Sequence, residues 1–147
     1  MIVQNQNQNS SIKNPFIEEK MTKIGVDVIT ARGLTGGSEL RSVTGTYLQL
    51  SISNSTSGQK QNTKLQWILG TSISFDETFE FDADKTDNLS VKLCEDEFLL
   101  DEKLGEVKIP LREVFETGGI MGAWFPIGEE RSESVEVLLN IATMKAN

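Results

Sequence analysis

Phe75-Asp76-Glu77-Thr78-Phe79-Glu80-Phe81 alternates large apolar and polar side chains with a period of two, the pattern of a strand with one face buried and one face wet. The same period recurs on both sides of it. Ile24, Val26 and Val28 alternate with smaller or polar neighbours, as do Leu48, Leu50 and Ile52. Further alternating runs lie at Leu89-Ser90-Val91-Lys92-Leu93, Val107-Lys108-Ile109-Pro110-Leu111 and Val135 to Ile141, and Trp67-Ile68-Leu69 and Trp124 to Ile127 are expected to add two strands. Turn formers separate them: Gly36-Gly37-Ser38, Asn54 to Gly58, Asp84 to Asn88 and Gly118-Gly119. About eight short strands at this spacing predict an antiparallel sandwich or barrel. Only Leu111 to Phe115 reads as a helical turn, and no internal repeat is visible.

Composition narrows the functional classes. The chain has 147 residues, 37% of them hydrophobic, which suits one domain with a buried core. No apolar run approaches the roughly 20 residues of a membrane span. Residues 1–20 are polar and rich in Gln and Asn, with too few apolar groups to offset the entropy of ordering, and are expected to be a disordered tail before a domain over 21–147. That tail lacks the basic and apolar regions of a signal peptide, so a cytoplasmic location is expected and the Asn-x-Ser/Thr matches at Asn9, Asn54 and Asn88 read as chance. With no histidine, the commonest general base and zinc ligand are missing. No nucleophile elbow, phosphate-cradling loop or cofactor fingerprint is present either, so neither an enzyme nor a small-molecule substrate is expected. A net charge of -8 excludes nucleic acid as the expected partner. Half of the chain's 22 acids fall between Asp76 and Glu102, which reads as a solvated face or a cation site.

The order of these strands and loops resembles the C2 domain family over about residues 23–144. Four segments carry the resemblance. Val26 to Leu34 is similar to the family's opening strand, Tyr47-Leu48-Gln49-Leu50 to its "D-P-Y-V" strand at the tyrosine, and Phe75 to Phe81 to its "W-N-E-x-F-x-F" strand. Leu93 to Glu97 with Asp101 to Glu106 resembles its acidic "D-x-D … D-D-x-L-G" loop. The resemblance implies an all-β, eight-stranded antiparallel Greek-key β-sandwich. A good strand follows Trp124 and poor strand material precedes Lys23, so the permuted topology starting at the Ile24 strand is expected.

The resemblance also implies calcium, a hard cation that takes six to eight oxygens. Position by position, the family's ligand aspartates fall on Glu39, Gly45, Glu95, Glu97 and Glu102, with Asp96 and Asp101 beside them. Gly45 supplies no carboxylate, and Glu is one methylene longer than Asp, so a degraded, Glu-rich site is expected. A second calcium motif, Asp82-x-Asp84-x-Thr86, fails as an EF-hand because Asp87 and Leu93 stand where Gly and Glu belong. Phe98-Leu99-Leu100, at the expected tip of the acidic loop, forms an apolar triplet suited to insertion into a phospholipid surface. Arg41, Lys60 and Lys64 are the candidate lipid-head-group contacts, as basic patches on one sheet are in the family. Trp67 and Trp124 are expected to pack in the core or at an edge. The reading is a non-enzymatic peripheral membrane docking module; the alternative is a calcium-independent protein–protein interaction domain.

Overall fold

The computed structural model describes residues 22–34, 45–53, 58–67, 70–96, 101–127 and 135–144. Eight strands follow one another: β1 Lys23–Arg32, β2 Thr46–Ser53, β3 Lys60–Asn62, β4 Ser72–Asp82, β5 Asn88–Glu95, β6 Glu102–Pro110, β7 Gly119–Pro126 and β8 Glu136–Met144. Among the described residues one helix, α1 (Arg112–Thr117), lies between β6 and β7 and ends on Gly118 in the left-handed conformation. The strands form two antiparallel four-stranded sheets in the orders β4-β1-β8-β7 and β3-β2-β5-β6. Strand β8 therefore lies between β1 and β7.

The alternation in the sequence explains the packing. Ile24, Val26 and Val28 of β1, Leu139 and Ile141 of β8, and Phe79 and Phe81 of β4 turn inward, where Leu48, Leu50, Leu89, Val91 and Leu93 of the other sheet join them in one buried cluster. Each such side chain contributes on the order of 1.5–3 kcal/mol on leaving water. Where the alternation slips, a bulge restores it. Val28 pairs with Glu77 but Thr30 pairs with Ser74, one extra residue on β4, and Asp76 within that bulge takes a φ of 51°, a conformation that Asp tolerates better than most residues.

One side of the sandwich is closed by side chains. Gln59 donates to Asp82 O and accepts from Asp82 N–H, both at 2.7 Å; Gln61 donates to Glu80 O at 3.0 Å; and Lys64 N–H donates to Glu77 Oε2 at 2.8 Å. These bonds cover the outer edge of β4 and fix β3 beside it. They also account for a correction. The third strand is the wholly polar Lys60–Asn62; Trp67, expected to begin a strand, lies beyond it and outside any strand, and residues 68 and 69 lie outside the described residues.

The same bonds orient the two sheets. Because Gln59, Gln61 and Lys64 meet Asp82, Glu80 and Glu77 in turn, Gln66 lies toward the end of the sandwich where β4 starts. At that end Arg32 stands opposite Ser72 and Glu136, while Thr46 stands opposite Glu95 on one side and Gln66 on the other. Four connections, β1–β2, β3–β4, β5–β6 and β7–β8, thus leave the described strands at one end.

Candidate functional site

The acidic residues of this end that the structure describes are held in different ways. Glu95 continues the inward row of Leu89, Val91 and Leu93 and is only 5% exposed, so its carboxylate lies under the end of the sandwich. Asp96 N–H donates to Gly45 O at 3.0 Å, tying the start of the β5–β6 connection to the start of β2. Asp101 Oδ2 accepts the Tyr47 hydroxyl at 2.6 Å. Partial burial, reinforced by that bond to a carboxylate, pushes the Tyr47 hydroxyl well above the ordinary tyrosine range. Cys94, opposite Tyr47, is buried; burial pushes its thiol up although the Tyr47 hydroxyl partly opposes this, so it is not primed as a nucleophile.

Gly45 adds a steric fact to the missing carboxylate. Its φ is 115°, outside the range that L side chains readily adopt, and a Cβ there would lie 3.1 Å from the Leu65 Cβ. An Asp at this position is disfavoured by backbone and by space together. Among the described residues no group of three or more acidic or sulfur side chains converges to hold a metal ion. Glu39, Arg41, Glu97, Phe98, Leu99 and Leu100 lie outside the described residues, as does the side chain of Glu102.

The outer face of the β3-β2-β5-β6 sheet is different in charge. Register aligns Lys60, Ser51, Ser90 and Lys108 in one row and Asn62, Gln49, Lys92 and Glu106 in the next, and Lys103 lies opposite Cys94. Glu106 is the acid of these rows. Its partial burial opposes ionisation, but the Ser90 hydroxyl at 2.8 Å and the Lys103 ammonium at 3.2 Å outweigh that and hold its carboxyl below the usual range. Lys60 therefore shares a face with Lys92 and Lys108, which sequence reasoning missed although the alternation of Leu89 to Leu93 and Val107 to Ile109 pointed both outward. Lys64 lies past the end of β3, its backbone held against β4.

Two further expectations are resolved. Trp67 is not packed but 56% exposed. Trp124 is half-buried on the outer strand β7, with the Arg32 guanidinium 3.6 Å from its ring centroid and Glu136 bound to the same guanidinium at 2.9 Å. The Asp84 turn uses its carboxylates locally. Asp84 Oδ1 accepts from Thr86 N–H and hydroxyl, and Asp87 Oδ2 accepts from Asp84 N–H, which is turn chemistry. Among the described residues no helix is long and apolar enough to cross a membrane.

The same architecture is found in known proteins. The C2 domain model matches residues 22–127. Among solved structures, a C2 domain-containing protein from a putative elicitor-responsive gene is 23% identical with a TM-score of 0.67, over 85% of this chain and 90% of that one. A C2 domain of plant Extended Synaptotagmin 1 is 14% identical with a TM-score of 0.68, over 87% and 98%. A calcium-bound pair of C2 domains from Extended Synaptotagmin 2 is 15% identical with a TM-score of 0.66, over 95% of this chain and 48% of that one. At these identities the likeness establishes the fold alone. No curated protein sequence matches the chain. The family match over most of the chain, together with the eight-stranded sandwich it describes, identifies this protein as a member of the C2 domain family.

Proposed function

We propose that this C2 domain is a non-catalytic docking module for phospholipid surfaces that attaches without a working calcium site. The observation that carries the reading is the closed seat at Gly45, where a positive φ and the Leu65 side chain together exclude the carboxylate that the family resemblance expects. Without calcium to bridge acids to lipid phosphate, the acids of this end repel anionic head groups, and attachment falls to apolar side chains. Phe98-Leu99-Leu100 lies in the connection between β5 and β6, which leaves the sandwich at the same end as Gly45, and supplies them. Lys60, Lys92 and Lys108 are the head-group contacts on the adjoining sheet face, with Lys64 just past the end of β3.

The full chain should co-sediment with phosphatidylcholine vesicles, and Phe98→Ser with Leu100→Ser should abolish that pellet. Unchanged co-sedimentation of the double variant removes the triplet from the mechanism. The alternative, a calcium-independent protein-interaction domain, rests on strand β7, which ends its sheet and carries Met121 at 66% exposure. Absence of vesicle binding combined with capture of a partner that a β7 substitution abolishes favours that reading.

A further inference from the structure

Of the strands that end the two sheets, β7 alone is neither covered nor charged. The outer edge of β4 is covered by Gln59, Gln61 and Lys64, β3 carries Lys60, and β6 carries Lys103, Glu106 and Lys108. Gly119–Pro126 carries no charged residue, and Met121 within it is 66% exposed. Covered or charged edges keep a sheet from pairing with another chain, so an open and uncharged edge permits pairing. The bulge between Ile120 and Ala123 confines regular pairing to the second half of the strand.

The hydrogen-bonding phase of that half follows from its pairing with β8. Ile127 N–H donates to Val135 O at 2.9 Å, and backbone groups alternate from there. Phe125 and Ala123 turn toward β8, whereas Trp124 and Pro126 turn to the open edge. Proline has no N–H, and the Gly122 N–H is already accepted by Asn140 Oδ1 at 2.6 Å. Trp124 therefore offers this edge both a donor and an acceptor, and among the described residues neither has a partner.

We infer that two copies of this chain pair through β7, antiparallel across a two-fold axis at Trp124, joining their sheets edge to edge. The Trp124 N–H of each copy then donates to the Trp124 carbonyl of the other, so one residue satisfies its own counterpart. Neighbouring positions fit the same axis. Phe125, only partly buried in the isolated chain, falls opposite Ala123 of the other copy, large against small. Pro126 falls opposite Gly122, and neither brings an N–H in need of a partner. A longer foreign strand would set its own carbonyls against those two positions and leave them unmet.

Charge also favours a second copy. The net charge of -8 pushes copies apart, and an uncharged strand is where identical surfaces can meet. The Arg32 guanidinium, 3.6 Å from the Trp124 ring centroid, comes near the axis in both copies, but Glu136 neutralises it at 2.9 Å. Pairing centred on Trp124 overlaps residues 122–126, so α1, which precedes Gly119, lies beyond the partner strand. A contact this short should dissociate on the order of 10–100 µM. It uses none of the residues assigned to lipid and stands apart from the docking reading.

Sedimentation equilibrium of the full chain provides the test. The weight-average mass should rise from 16.3 kDa toward twice that value between about 5 and 500 µM protein. Raising salt from about 50 to 500 mM should tighten the dimer roughly threefold by screening the net charge. Trp124→Glu, with its thermal transition showing an intact fold, should stay monomeric throughout, because two carboxylates meet on the axis. Should that variant fail to fold, Trp124→Cys decides instead. Mild oxidation should join it into a covalent dimer faster than Met121→Cys, since residues paired at the axis have Cα atoms about 5.5 Å apart, within disulfide reach. A wild-type chain that stays monomeric, a dimer that loosens with salt, unchanged association of Trp124→Glu, or faster cross-linking at position 121 each overturns the pairing.

Discussion

Two surfaces of one sandwich have opposite chemistry. The end from which the β5–β6 connection leaves carries Asp96, Asp101 and the Arg32–Glu136 ion pair, with Glu95 buried, whereas the outer face of the β3-β2-β5-β6 sheet carries Lys60, Lys92, Lys103 and Lys108 against Glu106. In a chain of net charge -8 the contrast shows that overall charge says little about what any one surface binds. On the proposed docking reading, the end takes an uncharged, apolar contact and the face takes lipid phosphate.

Removing the face should have the largest effect on anionic vesicles. Lys60→Ala, Lys92→Ala and Lys108→Ala together should weaken binding to phosphatidylserine-containing vesicles about a hundredfold at low salt and leave phosphatidylcholine binding unchanged, by flotation or co-sedimentation. Equal losses on both vesicles would erase the division between the surfaces. At the end, Gly45→Asp should cost about 1–3 kcal/mol in chemical denaturation, because it places a side chain at a disallowed φ and against Leu65, and it should not create calcium-dependent binding. A stable variant that gains calcium dependence would show that the seat is open after all.

The smallest effect is a titration. Tyr47 is the chain's only tyrosine, so alkaline difference spectra report it alone. Its pKa is raised above 10.0 in the fold by burial and by Asp101, so the folded chain holds the proton more tightly. The stability this contributes is complete below pH 10 and declines as pH rises above that value toward the folded pKa. Tyrosinate absorbance should therefore appear at higher pH in the native chain than in urea, and Asp101→Asn should close part of the gap. Coincident curves would mean that neither the partial burial of Tyr47 nor its 2.6 Å bond to Asp101 persists in solution.

The sandwich was legible wherever alternation was clean. Phe75 to Phe81, Leu89 to Leu93 and Val135 to Ile141 fell on β4, β5 and β8 because half-buried strands impose that pattern on their side chains. Strand β3 was invisible because Lys60, Gln61 and Asn62 are all exposed and the glutamines at 59 and 61 hold it through side-chain bonds to β4, which no hydropathy pattern records. Strand β7 was legible only in its second half. Gly122, at a φ of 61°, sits in a bulge whose N–H is accepted by Asn140 Oδ1 at 2.6 Å, and the extra residue breaks the period. In the candidate site, the absence of a carboxylate at Gly45 is a matter of residue identity. The crowding that disfavours a side chain there was not legible, since it depends on the backbone φ and on Leu65, about twenty residues away in the chain.

Binding of the full chain to phosphatidylcholine vesicles, measured by co-sedimentation in calcium and in chelator, tests attachment through apolar side chains most directly. Equal pellets under both conditions are predicted. A pellet that forms only in calcium would contradict the account.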